Sequence, residues 1–396
     1  MLTSIALMFL MGLFLGGIFK RLRLPNLLGM VITGMALGPY ALGLIDDKIL
    51  GMSSELRQVA LIIILMRAGL SLNLNDLKQV GRPAVLMCFV PACFEIAGMA
   101  LLAPALLGIS VLEALIMGSV IAAVSPAVVV PQMLKLMEEG YGSRESIPQL
   151  IMAGASVDDV FVIVLFTSFT SLAMGENVSW IKFVQIPVAI VTGALAGGIC
   201  GFLLTAFFKR IHMRDSVKLL VLVSVSLLLV ALESAVGDVI PFSGLLAVMA
   251  AGISMLKFYP VLARRISPKF NKVWVAAEVL LFVLVGAMVD IQYAAAAGLK
   301  VIVLILLVIL FRMAGVFACL LKTGLAKKEK LFCMIAYIPR ATVQAAIGGL
   351  PLAMGLACGQ VVLTAAVIAI LITAPLGALG VDLTYRRLLH KNGEKQ

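Results

Sequence analysis

Residues 148–173 read PQLIMAGASVDDVFVIVLFTSFTSLA, an apolar stretch interrupted by two adjacent aspartates, Asp158 and Asp159. Pro148 suits the first turn of a helix. At 1.5 Å per residue the carboxylates then lie roughly 15 Å along that helix, near the middle of a ~30 Å hydrocarbon core. Carboxylates at that depth usually mark an ion or proton path. Because two neighbouring carboxylates do not both ionise easily, we expect protons and cations to compete for the pair.

The composition indicates a membrane protein rather than a soluble protein with a buried helix. Of the 396 residues, 62% are hydrophobic and 13% are charged, whereas soluble domains carry about 25% charged residues. We therefore predict a single transmembrane domain over residues 1–396. The six cysteines and two histidines have no metal-ligand spacing, and no cofactor is predicted.

The apolar segments predict an all-α polytopic fold with about thirteen transmembrane helices. Most segments are long enough to cross a bilayer. They cover residues 2–19, 26–45, 58–72, 84–107, 111–134, 148–173, 183–207, 219–235, 240–256, 273–291, 301–321, 331–351 and 360–385.

The basic residues alternate with this segment order. Loops after odd-numbered segments and the tail 386–396 hold 24 of the 31 Lys and Arg residues, and loops after even-numbered segments hold four. The positive-inside rule then places the N-terminus outside and the tail in the cytoplasm of a cell membrane. The net charge of +11 is therefore a topology signal in a protein of the lipid bilayer, and it does not predict nucleic-acid binding.

Two segments are interrupted near their middles, at Ser125-Pro126 and at Pro339. Proline removes a backbone donor, and non-helical backbone at that depth is tolerated where it is buried or lines a cavity. The two breaks lie seven segments apart, and an odd offset reverses the direction in which the second copy crosses the membrane. This predicts two inverted six-helix repeats, 1–173 and 219–385, joined by a linker helix at 183–207. Repeats with paired broken helices are how many secondary transporters build a site at the midplane.

Several charged residues lie inside the segments. Glu95 and Arg312 occupy repeat-related segments and predict a buried ion pair, as do Arg67 and Glu278, for which we favour a structural role. Arg340 lies within the second break. We predict that it offsets the negative C-terminal ends of the half-helices rather than contacting substrate.

These motifs resemble the cation–proton antiporter superfamily, specifically its second branch, and the chain looks like a bacterial relative of the animal sodium/hydrogen exchanger subfamily B. The resemblance covers almost the whole chain. It is carried by RLRLPNLLGMVITGMALGP at 21–39, LMRAGLSL at 65–72, VSPAVVVP at 124–131, GASVDD at 154–159, IPRATVQAAIG at 338–348 and ILITAPLGALG at 370–380.

The resemblance implies a homodimer whose protomers contain a dimerisation domain and a mobile core with two crossing broken helices. Asp159 would be the principal carrier of cation and proton, with Asp158 assisting. Ser125, beside Pro126, and Thr342 would lend oxygens or position the site.

Arg312 departs from the pattern of many second-branch members, which have a lysine that pairs with the first aspartate. An arginine effectively cannot release its proton. Arg312 therefore pairs either with Glu95, which leaves Asp158 freer, or with Asp158. The sequence leaves electroneutral and electrogenic exchange open.

The expected function is secondary-active exchange of a monovalent cation for H⁺ by alternating access, with Na⁺ or Li⁺ favoured and K⁺ as the alternative. The sequence does not predict an enzyme. Two alternatives of another class are a sodium-coupled organic-anion symporter of similar fold and an ion channel.

The charge asymmetry gives a topology prediction. A reporter fused after Gln396 should be cytoplasmic and a tag placed before Leu2 should be external, as measured by accessibility in intact cells. Both ends on the same side of the membrane would show that the number of crossings is even.

Overall fold

The computed structural model describes residues 1–22, 24–71, 81–142, 146–174, 180–236 and 241–391. Over these ranges the chain is helical, apart from connecting segments and an isolated antiparallel bridge between Tyr141 and Lys391. The helices are α1 Leu2–Arg21, α2 Asn26–Leu37, α3 Asp47–Gly51, α4 Ser53–Ser71, α5 Arg82–Met87, α6 Val90–Leu107, α7 Val111–Ile121, α8 Pro126–Glu139, α9 Ile147–Ala173, α10 Trp180–Arg210, α11 Asp215–Val236, α12 Gly244–Phe258, α13 Pro260–Ala287, α14 Ile291–Cys319, α15 Lys327–Ala336, α16 Thr342–Ile347, α17 Leu350–Ala353 and α18 Gly359–Leu388.

The all-α membrane class is confirmed, and each predicted apolar segment contains helix. Within the described ranges, eight helical stretches are long and apolar enough to cross a membrane: Leu2–Arg21, Arg82–Leu107, Val111–Glu139, Val191–Arg210, Asp215–Glu233, Pro260–Ala287, Gly298–Cys319 and Gly359–Leu388. Shorter apolar helices cover Asn26–Leu37, Phe161–Ala173, Gly244–Phe258 and Thr342–Ala353.

Both predicted interruptions are present. Helix α7 ends at Ile121 and α8 begins at Pro126, which occupies the first turn, where proline's missing N–H is least costly. Helix α15 ends at Ala336 and α16 begins at Thr342. Each of these two segments is therefore a pair of half-helices joined by a few residues of non-helical backbone.

Three boundaries differ from the sequence prediction. The segment 84–107 is not continuous, because Pro91 in the first turn of α6 cannot continue the ladder from α5. Helix α13 begins at Pro260, so basic residues assigned to a loop before 273 are helical. Helix α18 continues to Leu388, past the predicted start of the tail at 386, and the described chain ends at 391.

The chain divides into two compact units. The first comprises Met1–Ser54, Asn73–Ala173 and Leu281–Gln396, and the second comprises Glu55–Leu72 and Met174–Leu280. Both breaks and the two aspartates belong to the first unit. The division into repeats at 1–173 and 219–385 remains a prediction.

In the second unit, α10 packs against α12 with their backbones in close contact. A Cβ atom added at Gly197 would lie 2.1 Å from the carbonyl oxygen of Ala247. Glycine at this position therefore sets how closely the two helices approach. Arg67 and Glu278 both belong to this unit, and their structural pairing stays a prediction.

Candidate functional site

Asp158 and Asp159 lie near the middle of α9, and their side chains are 0% and 5% exposed. Successive helical residues point about 100° apart, so the two carboxylates meet different neighbours. Both have one carboxylate oxygen, Oδ1, that is buried without a hydrogen-bond partner.

Asp158 is held through its other oxygen. Its Oδ2 accepts a hydrogen bond of 2.9 Å from Nη2 of Arg312 and another of 2.9 Å from the backbone N–H of Val124. Val124 lies in the non-helical segment between α7 and α8. The first aspartate is therefore tied both to a buried cation and to the first break.

Arg312, on α14, is the centre of this site. Besides Asp158, its guanidinium donates to Oε2 of Glu95 at 2.8 Å and to the carbonyl of Tyr337 at 2.8 Å. It also donates through Nη1 to the carbonyl of Ala122. Glu95 and Arg312 are respectively 0% and 1% exposed.

The two carbonyls bound by Arg312 lie at equivalent places. Ala122 is the residue that follows α7, and Tyr337 is the residue that follows α15, so each ends the first half of a broken helix. These ends carry unpaired carbonyls and partial negative charge. The hydrogen bonds to these carbonyls come from Arg312, and the predicted offset of their charge by Arg340 stays a prediction.

Arg340 instead contacts Glu95. Its Nη2 donates to Oε1 of Glu95, and its backbone N–H donates to Oγ1 of Thr373 at 3.1 Å. Its Nε and Nη1 atoms are buried without a partner. The second break is therefore held by an ion pair to α6 and by a hydrogen bond to α18.

These contacts join four charged side chains into one buried ion-pair network. Arg340 binds Glu95, Glu95 binds Arg312, and Arg312 binds Asp158. The two sequence alternatives for Arg312 are thus not exclusive, because its two terminal nitrogens serve one carboxylate each. Two positive and two negative groups balance. Asp159 lies outside this network and, when ionised, adds a negative charge that the four do not cancel.

The two breaks touch directly. The backbone N–H of Ser125 donates to the carbonyl of Pro339 at 2.8 Å, which confirms that the broken helices meet at their interruptions. The hydroxyls of Ser125 and Thr342 are buried and have no hydrogen-bond partner. Both predicted hydroxyl residues therefore lie at the junction of the breaks, and each has a side-chain oxygen that makes no hydrogen bond.

The sequence reasoning missed two residues of this site. Gln344, on α16, donates from its amide to carbonyls at the end of α7. Tyr337 donates its hydroxyl to the carbonyl of Met87 at 2.9 Å, and its ring lies 5.0 Å from the guanidinium carbon of Arg312. Gln344 had a usable signal, since it is an amide in an apolar segment just after a proline break; Tyr337 had none.

The oxygen atoms of the site suit a hard cation. Across the part of the chain that the structure describes, no group of three or more His, Cys, Asp or Glu residues is placed to hold a metal ion. Among the described residues of this site, Asp159 is the carboxylate that makes no ion pair with Arg312 or Arg340.

The Glu95–Arg312 pair gives a stability prediction. Removing one partner of a buried ion pair costs roughly 3–5 kcal/mol. Glu95→Gln and Arg312→Met should each lower the thermal stability of the purified protein markedly, and the double variant should lose less than the sum. The exposed pair Lys135–Asp382, with an N–O distance of 3.0 Å, is the control and should contribute about 0–1 kcal/mol. Strictly additive losses for Glu95 and Arg312 would show that the two residues are not coupled.

Comparison with known proteins shows the family and the fold. Human sodium/hydrogen exchanger 9B2 is 34% identical over 93% of this chain and 70% of its own length. Human sodium/hydrogen exchanger 9B1 is 30% identical over 90% of this chain and 71% of its own length. The solved structure of the sodium proton antiporter MjNhaP1 from Methanocaldococcus jannaschii superposes with a TM-score of 0.85 over 97% of both chains at 17% identity, which shows a shared fold.

The family described as "Sodium/hydrogen exchanger, transmembrane" matches residues 5–385, nearly the whole chain. Its members are transporters, and the resemblance seen in the sequence motifs is confirmed. The chain belongs to the sodium/hydrogen exchanger family of multi-pass membrane proteins.

Proposed function

We propose that this protein exchanges Na⁺ for H⁺ across the membrane, with both ions competing for Asp159. The observation that carries the proposal is the charge balance of the site: Asp159 is the buried carboxylate left over when Glu95, Asp158, Arg312 and Arg340 have paired. A lone buried carboxylate is costly when ionised. Either one proton or one monovalent cation removes that cost, and each excludes the other.

The remaining groups have supporting roles in this proposal. Asp158 is fixed by Arg312 and by the backbone of Val124, so it orients the site and assists rather than carries the ion. The unpartnered hydroxyls of Ser125 and Thr342 offer oxygen ligands at the junction of the breaks. Alternating access follows because only a neutralised site can cross the low-dielectric barrier at low cost.

Na⁺ is the favoured cation, because the family is described by sodium/hydrogen exchange. Li⁺ is proposed as a second substrate, and K⁺ is less favoured. Membership of an exchanger family also favours obligatory exchange over a sodium-coupled organic-anion symporter or an ion channel. Those alternatives would appear as solute-dependent Na⁺ uptake and as Na⁺ conductance without proton movement.

We further propose electroneutral exchange of one Na⁺ for one H⁺. Arg312 keeps its proton, and both of its carboxylate partners remain paired. One exchangeable charge therefore remains, at Asp159.

The assembly and its placement are also proposed. The protein is a homodimer in a cell membrane, with its N-terminus outside and its C-terminal tail in the cytoplasm. Each protomer is built from inverted repeats at 1–173 and 219–385, with 183–207 as linker. The distribution of basic residues supports the orientation, and the paired breaks support the repeats. The homodimer is proposed on the resemblance to the antiporter superfamily alone.

The role of Asp159 is tested by Asp159→Asn in reconstituted vesicles, with proton movement followed by a pH-sensitive dye while Na⁺, Li⁺ and K⁺ are added in turn. The variant should fold and lose exchange, because the neutral amide has no negative charge for a proton or a cation to neutralise. Asp158→Asn should be impaired but retain part of the activity.

Glu233→Gln is the matched control. Glu233 lies on α11 in the second unit and accepts a hydrogen bond of 3.0 Å from the backbone N–H of Gly244, a bond that an amide oxygen also accepts. This variant should exchange like the wild type. Near-normal Na⁺-driven proton movement in Asp159→Asn would refute the assignment.

A further inference from the structure

Gln344 makes a set of contacts that the exchange mechanism above does not use. Its side chain is fully buried on α16. Its Nε2 donates to three carbonyl oxygens, those of Val120 at 3.2 Å, Ile121 at 3.0 Å and Ala123 at 2.9 Å. Two amide protons are thus shared among three acceptors at the end of one half-helix.

These carbonyls need donors from elsewhere. The last four carbonyls of a helix have no partner within the helix, and the membrane interior offers no bulk water to replace one. The neighbouring carbonyl of Ala122 is taken by Arg312. Gln344 and Arg312 together occupy four consecutive carbonyls, 120–123, at the C-terminal end of α7.

The orientation of the Gln344 amide is fixed by the same contacts. A flipped amide would place Oε1 against three carbonyl oxygens, which is repulsive. In the observed orientation Oε1 is buried without a partner. The Oε1 atom is thus left without a donor, while both amide protons of Gln344 are bonded to carbonyls at the end of α7.

The capped carbonyls adjoin the ion site in sequence and space. Val124, the next residue, donates its N–H to Asp158, and Ser125 after it is bonded to the other break. Carbonyl oxygens without donors here would turn toward any nearby cation, as carbonyl rings do in selectivity filters. They would also add the negative end of the α7 dipole to the charge of Asp159.

We propose that Gln344 is a positioning residue that determines cation specificity by holding the α7 carbonyls away from the transported ion. The cation is then bound by side-chain oxygens around Asp159, in a site whose size is set by the fixed backbone of residues 122–125. This inference rests on the proposed exchange function. It adds that the preference for a small alkali cation depends on the amide of Gln344.

The test compares Gln344→Met and Gln344→Asn with the wild type in vesicles, measuring the apparent KM for Na⁺, Li⁺ and K⁺ and the pH profile of exchange. Methionine keeps the length of the side chain without its donors, and asparagine keeps the amide but shortens its reach. Both variants should exchange with a several-fold lower ratio of the KM for K⁺ to the KM for Na⁺, because freed carbonyls add ligands for the larger ion.

Gln132→Met is the matched control. Gln132 is a partly buried glutamine on α8 whose Nε2 donates to a single carbonyl, that of Ala378, at 2.9 Å. It lies six residues beyond Pro126, roughly 9 Å along the helix. Its loss removes one glutamine-to-backbone bond that does not involve the carbonyls at the end of α7, and should leave the KM ratio and the pH profile unchanged.

The outcomes separate the two proposals. If the wild type moves no protons with any cation, the proposed function itself fails. If the wild type exchanges and a folded Gln344 variant keeps the wild-type KM ratio and pH profile, the specificity role is overturned. It is also overturned if neither Gln344 variant folds under conditions in which Gln132→Met does, since Gln344 would then be structural.

Discussion

The guanidinium of Arg312 is the contact on which the site depends. The cost of burying a cation is fully offset only when its charge is paired and its N–H groups are bonded. Arg312 meets that requirement with acceptors from four elements: Glu95 on α6, Asp158 on α9, and the carbonyls that follow α7 and α15. Two carboxylates and the ends of two half-helices thus share one donor group. Removing it would leave Asp158 and the two carbonyls buried without a cation, and would leave Glu95 paired with Arg340 alone.

The charge balance of the site follows from that contact. Arg340 supplies the second positive charge, through Glu95, and completes a network with no net charge. Asp159 stands beside it with one free oxygen. A proton and a Na⁺ are then interchangeable as far as the net charge is concerned, and this is the physical condition for coupling their movements. Gln344 removes backbone acceptors from the site in a similar way, since its amide satisfies carbonyls that would otherwise compete for the ion.

The parts of this site that the sequence predicted are those with a local signal. Paired aspartates in an apolar helix, a proline inside a span and a charge at midplane depth each have an energetic cost that is visible from neighbouring residues alone. Both partners of Arg312 were predicted, but as alternatives, from the repeat and from the resemblance rather than from a local signal. Glu95 and Asp158 lie 217 and 154 residues away, and only the folded chain shows that one arginine serves both. Local signals also failed at Pro91, where a second kind of break was taken for a continuous span, and they did not show that Arg340 contacts Glu95.

The central claim is that Asp159 is the one exchangeable charge, so that one Na⁺ moves against one H⁺. The most direct test is the Na⁺ gradient that just balances a fixed pH gradient in vesicles containing the purified protein, measured at several membrane potentials. The account predicts that net proton flux stops when the Na⁺ ratio equals the H⁺ ratio, at every potential. A balance point that shifts with membrane potential would contradict it, because a second proton, carried by Asp158 or another group, would then take part in each cycle.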